Sequence, residues 1–246
     1  MKRFLRISGS LIAFVLLVFA VIWWMAYENE PKGDPSNSAD QVAEKMMAAV
    51  NKPAWDSTTY VQWTFRGEHT FLWDKDRHLV QVDWESNTVL LDINKIAGKA
   101  YQAGEELDEK RTAALVQEAW EHFCNDSFWL NAVVKAFDPG TERSLVKLKD
   151  GREGLKVSYS QGGVTPGDAY VWILDENSRP TSWKMWVEII PVGGMEFTWE
   201  VWDTLSTGAI IATFHQSDIL DLEISGVKAG MDYRDFGLRQ DPFAEL

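Results

Sequence analysis

A mainly β domain of α+β type, with about eleven strands in a curled antiparallel sheet, is expected from three features of this 246-residue chain. Runs of period-two alternation recur over most of its length. The turns between them are too short for anything but antiparallel neighbours. Thirteen tryptophans demand large buried surfaces or an aromatic-lined cavity. A sheet of that width curls, splits or closes.

The N-terminal segment has a different character. Lys2, Arg3 and Arg6 form a basic flank, and residues 11–27 carry no charge. With residues 7–10 the run is long enough to span ~30 Å of hydrocarbon as a helix. Trp23, Trp24 and Tyr27 suit the far interface, and Glu28 and Glu30 follow it. That asymmetry places the N-terminus in the cytoplasm and the bulk of the chain outside. The competing reading is a cleaved signal peptide, but Trp-Trp-Met-Ala-Tyr-Glu is a poor cleavage context. Residues 1–28 are therefore expected as cytoplasmic flank and transmembrane anchor. Residues 29–39, rich in Pro, Gly, Ser and Asn, read as a flexible tether. Residues 40–230 form the domain, and 231–246 a C-terminal tail. The protein is expected in the cell membrane, single-pass, its bulk on the periplasmic or extracytoplasmic side.

The formal net charge is −13, and the positive leader makes the remainder more acidic still. Such a domain repels nucleic acid, which is excluded as a partner. Cys124 is the single cysteine, so there is no intramolecular disulfide and no cysteine zinc cluster.

Along the domain, Asp40 is the expected N-cap of a helix carrying Val42, Ala43, Met46, Met47, Ala49 and Val50, ended by Pro53. Strands follow at 61–65, 68–73, 79–84, 88–93 and 99–102, with turns at Gly67, at 74–77 and at 86–87. An apolar helical stripe runs through 107–123, and Asp126-Ser127 is expected to cap a second short helix towards Phe137. Further strands are expected at 144–149, 154–160, 169–174, 180–190, 195–203, 209–216 and 219–224. Tyr170, Trp172 and Leu174 share one face. So do Trp183, Met185, Val187 and Ile189, and so do Met195, Phe197, Trp199 and Val201. Trp186 and Trp202 fall on the opposite face and call for a covering element.

Several local stretches resemble the lipoprotein-carrier (LolA/LolB-like) half-barrel superfamily. Phe71-Leu72-Trp73, then Arg77 and Leu79, then Trp84 resemble its early hairpin. Ile96-Ala97-Gly98-Lys99-Ala100-Tyr101 is similar to its strand entered through Gly-Lys. Residues 175–180 resemble its late hairpin turn. The likeness covers roughly residues 40–229. It implies an unclosed half-barrel with an N-terminal helix and one or two inserted lid helices. It also implies a gating part for Arg77, although His78 stands where the carriers have proline.

Chemistry-bearing residues offer little else. In the expected hairpin Trp73 faces His78 and His69 faces Val82, which keeps those histidines apart. Glu118 and His122 share a helix face as a surface ion pair. Cys124 sits among Phe123, Phe128 and Trp129 as a buried thiol. Gly162-Gly163 and Gly193-Gly194 lack phosphate-loop spacing, and no cofactor, metal site or catalytic constellation is expected. What remains is the aromatic face, either packed core or cavity wall. The expected ligand is a lipid or the acyl chains of a lipoprotein. Trp63, Phe65, Trp73, Trp172, Trp183, Met185, Phe197 and Trp199 would line its site, with Leu115 and Trp120 from the lid. The alternative is a module with a filled core that docks an envelope partner through Trp186 and Trp202.

Overall fold

The computed structural model describes residues 27–246, apart from 165, 190 and 191. Except for Tyr27, the span expected over residues 7–27 lies outside the described residues. No helix among the described residues is long and apolar enough to cross a membrane. Helices α1 (Asn37–Ala49) and α2 (Lys52–Ser57) lead into β1 (Tyr60–Phe65), β2 (His69–Asp74), β3 (Leu79–Trp84), β4 (Asn87–Asp92), β5 (Ala97–Gln102) and a two-residue β6 (Glu105–Glu106). Helix α3 (Glu109–Asn131) and a 3-10 turn (Ala132–Lys135) follow. The chain continues as β7 (Thr141–Lys147), β8 (Glu153–Tyr159), β9 (Ala169–Leu174), β10 (Pro180–Trp186), β11 (Met195–Thr198), β12 (Glu200–Thr204), β13 (Ile210–Gln216) and β14 (Asp221–Gly230).

The strands form two open antiparallel sheets rather than one. Nine run in the order β12-β13-β14-β1-β2-β3-β4-β5-β6, and five in the order β11-β10-β9-β8-β7. The division has a local cause. The stretch expected as one strand over 195–203 splits at Trp199. Its first part pairs with β10 and its second with β13. Val201 takes a φ of 52° there, which a β-branched residue adopts only at a cost of about 1–3 kcal/mol. The bend sinks Trp199 into the core, 2% exposed, and turns Val201 out to solvent. Both sheets, α1 and α3 share that core.

Three expectations about the helices need correction. Ser36, not Asp40, caps α1, its Oγ accepting the Ala39 N–H at 3.3 Å. Asp40 instead accepts from Arg143 Nε on β7 at 2.5 Å. Pro53 begins the short α2 rather than ending α1, since the first turn of a helix has no use for its missing N–H. No second helix starts at Asp126-Ser127. Capped by Asp108, α3 runs straight through them to Asn131. The Asp126 carboxylate is held by His69 Nδ1 at 2.7 Å, so it does not compete for the helix backbone. The β2–β3 register also differs from expectation, with Trp73 opposite Val80 and His69 opposite Trp84.

The supposed tether and tail are both packed against the domain. Residues 28–35 cross the outer face of the five-stranded sheet. Lys184 Nζ donates to both Glu28 carboxylate oxygens (2.8 and 2.9 Å), and Trp186 Nε1 donates to the Glu28 carbonyl at 2.8 Å. Lys156 pairs with Glu30 and donates to the Pro31 carbonyl. Pro35 bridges Ser144 on β7. Gly33 passes so close that a Cβ there would lie 2.7 Å from the Leu145 carbonyl oxygen. This strap covers an apolar patch of Val146, Leu148, Val171 and Trp186. It is the covering element that Trp186 required, and it leaves Trp186 only 8% exposed.

On the outer face of the nine-stranded sheet, the C-terminal residues do the same. Phe243 packs on Tyr60, Leu72 and Leu90. Phe243→Ala is expected to lower stability by about 3 kcal/mol, read as a lower urea midpoint with the slope unchanged. Arg77, expected as a gate, is tied into this packing. Its guanidinium donates to Asp74 (2.7 Å), to both Asp241 oxygens (2.7 and 2.8 Å) and to the Tyr60 hydroxyl (3.0 Å). Asp74 also takes the Arg77 backbone N–H. These contacts fasten the tail to the outer face of the sheet, apart from the core that α3 shares.

Candidate ligand site between the two sheets

Period-two alternation sends Val61, Trp63 and Phe65 of β1 inward, and antiparallel pairing sets Phe71 and Trp73 of β2 beside them. Trp63 stacks on Phe71 with ring centroids 4.6 Å apart, and Trp73 meets Trp63 edge-on at 6.4 Å. Across the core, Trp172, Trp183 and Phe197 occupy one row of β9, β10 and β11. Trp172, Trp183 and Trp199 lie mutually 4.9–5.0 Å apart. Met185 is 6% exposed in the same core. Two residues expected on this face, Ile189 and Val201, are solvent-exposed at 65% and 59%.

Leu115 and Trp120 of α3 are half-buried against the core. The deeper contacts come from Phe123, at the end of the expected helical stripe, and from Trp129, noticed in the sequence only as a neighbour of Cys124. Phe123 reaches Trp63, Phe71 and Trp73, at 6.3, 6.3 and 5.1 Å. Trp129 reaches Trp183 at 4.9 Å and Phe197 at 4.8 Å. The second half of α3 thus touches both walls. Expecting a break at Asp126 hid that continuity.

The interior is tightly filled. Trp63, Trp172 and Trp183 are fully buried. A void of about 10 Å³, lined by Val50, Trp55, Leu130, Asn131, Trp199 and Ile211 among others, has room for about one water. Yet this core is unusually rich in polar atoms. The indole N–H groups of Trp63, Trp73, Trp172, Trp183 and Trp199 are buried without a hydrogen-bond partner, as are Asn131 Oδ1 and Tyr159 OH. Edge-on aromatic contacts compensate a buried N–H only weakly. A donor left unpaired costs about 1–3 kcal/mol. Outside this interior the pattern differs, since Trp186 and Trp202 donate to the carbonyls of Glu28 and Trp199.

At the rim, β2 and α3 bring together groups that the sequence kept apart. His69 and His122 stack with centroids 3.9 Å apart, Trp84 meets His122 edge-on at 5.3 Å, and Asp126 holds His69. Glu118 lies 3.7 Å from His122 Nε2, the ion-pair geometry expected of that i,i+4 pair. The corrected register sets His69 opposite Trp84 rather than Val82, and its partners on α3 are too distant in sequence for local reasoning to find. Among the described residues no three metal-ligating side chains gather at a metal-binding geometry. Cys124 is half-buried, and burial pushes its thiol up to about 11.

Burial pushes Asp126 up to about 6, against the pull of His69, and presses His215 down to about 4. Desolvation and then His69 lower His122 as well. A carboxyl titrating higher in the fold than its ordinary 3.8 adds stability as pH falls from about 6. An imidazole titrating below its ordinary 6.5 removes stability as pH falls towards about 4. Asp126 and His215 are each worth about 3 kcal/mol and oppose one another. Asp126→Asn is therefore expected to lose about 3 kcal/mol more than the native chain between about pH 7 and about pH 4. Urea unfolding across that range measures it.

No family model and no curated protein matches this chain. Among solved structures it is similar to a DUF1329 family protein from Desulfovibrio piger ATCC 29098. The two are 11% identical with a TM-score of 0.42, over 82% of this chain and 97% of that one.

Proposed function

We propose that the chain is a membrane-anchored, extracytoplasmic binding protein, not an enzyme. Its ligand is a lipid or the acyl chains of a lipoprotein, taken between the two sheets in the manner of the lipoprotein carriers it resembles. The observation that carries the reading is the donor-bearing aromatic interior beneath α3. A purely structural core is built more stably from aliphatic side chains that leave no N–H unpaired. Acyl esters bring both the hydrocarbon that such walls favour and carbonyl oxygens for the indoles. Entry requires α3 to swing from the walls, and the polar His69–Asp126 contact at the rim is where it would release. Titrating the fragment 28–246 with an acyl fluorophore tests this. Saturable uptake, with a change in tryptophan emission and competition by lipid, is the expected result.

The small void favours the second reading, an envelope interaction module with a filled core. In that case the fragment stays folded and takes up no probe. Trp186, under the strap, is closed to a partner, which leaves half-buried Trp202 as the docking residue to substitute.

A further inference from the structure

Four exposed aliphatic side chains sit on loops at one end of the domain, while Val201, Met231 and Leu145 are exposed elsewhere. Ile219 is 76% exposed, Ile189 65%, Leu220 39% and Val164 38%. Trp186 pairs with Ala169, so the β8–β9 loop with Val164 and the β10–β11 loop with Ile189 leave the sheet at the same end. β13 runs antiparallel to the 195–204 stretch, with Glu200 opposite Phe214 and the Gln216 N–H on Thr198 Oγ1 at 2.9 Å. The turn over 217–220, carrying Ile219 and Leu220, therefore continues towards the start of β11 and the β10–β11 loop. The backbone N–H of Glu28 donates to the Gly193 carbonyl in that loop at 3.0 Å. The chain thus enters the described domain at the end that carries the aliphatic tips, directly after its uncharged N-terminal run.

We propose that this end is a membrane-contact surface, with Val164, Ile189, Ile219 and Leu220 dipping into the acyl boundary of the bilayer that holds residues 7–27. The inference rests on the anchored reading above. Glu28 is fastened at the β10–β11 loop itself, so a bilayer that holds the preceding residues meets the domain at this end. Single exposed aliphatics are ordinary, but several on neighbouring loop tips beside a membrane entry point form an interfacial patch. Glu188, Asp218 and Asp221 flank the tips, and the chain carries a net charge of −13. The surface therefore suits a zwitterionic interface and is repelled by anionic lipid.

The test uses the full chain with Cys124→Ala, reconstituted in phosphatidylcholine vesicles. An environment-sensitive fluorophore is placed on a cysteine at Ile189, at Ile219, or at Ile96. Ile96 is 40% exposed in the β4–β5 turn, at the opposite end of its sheet. Labels at Ile189 and Ile219 should shift to shorter wavelength and be quenched by spin-labelled phosphatidylcholine, while the label at Ile96 reports water. Water-like emission at Ile189 and Ile219 overturns the proposal. So does shielding that lipid-borne quenchers do not reach, since a protein or second copy then covers the patch. Carbonate extraction of the same vesicles reports on the anchor alone. A chain that is stripped off although its labels had reached lipid loses the anchor and keeps the contact surface. A retained chain with water-like labels keeps the anchor and loses the surface.

Discussion

Trp183→Ala is expected to lower the free energy of unfolding by about 3–5 kcal/mol. Among the described residues no other ring has so many aromatic neighbours. Its centroid lies 4.6 Å from Tyr170, 4.9 Å from both Trp129 and Trp172, 5.0 Å from Trp199 and 5.8 Å from Phe128. Those rings belong to α3, to β9 and to the junction of the two sheets. Removing the indole opens a cavity where three elements meet, and none can collapse into it without leaving the others. Trp183→Phe separates packing from polarity. It keeps most of the buried area and deletes one unpaired N–H, so its loss should stay near about 1 kcal/mol. Urea unfolding of both variants distinguishes this shared core from a loosely held one, in which the two substitutions would cost alike.

The second large effect lies on the opposite side of the same sheet. Glu28→Ala leaves the Lys184 ammonium, 8% exposed, without its carboxylate. Breaking a fully buried pair costs about 3–5 kcal/mol. Glu28 is 24% exposed, so water screens part of that, and about 2–3 kcal/mol is expected. Adding Lys184→Met should recover most of the loss, because the uncompensated charge goes with it. Hydrogen exchange should show the strap over 28–35 losing protection in the single variant. A single variant as protected as the native chain would mean that the strap is held by Trp186 and Gly33 alone.

Period-two alternation was enough to find nearly every strand and the sharing of one face by Trp172, Trp183 and Phe197. Both properties are local in the sequence. What it missed depended on contacts between distant residues. Nothing near Arg77 announces Asp241, 164 positions away. Nothing near Pro31 announces Lys156. A Pro-, Gly- and Ser-rich stretch therefore read as a tether although it straps a sheet. Asp126 read as a cap because its partner, His69, comes from a strand 57 residues earlier. The division into two sheets turns on Val201 at positive φ, which local propensity disfavours. Of the candidate site, the aromatic walls were legible. The filled interior and its unpaired donors were not, because packing density is set by how three layers meet.

The most direct test of a hydrophobic ligand between the sheets is made on fragment 28–246 expressed and purified without detergent. The fragment must begin at Glu28, because a later start removes the strap and the Ser36 cap. Native mass spectrometry of the protein, with solvent extraction and mass analysis of what it releases, gives the answer. A lipid or acylated species bound in stoichiometric amount is predicted. A protein of bare polypeptide mass that also refuses an acyl probe would contradict the account, and the aromatic interior would then be a packed core.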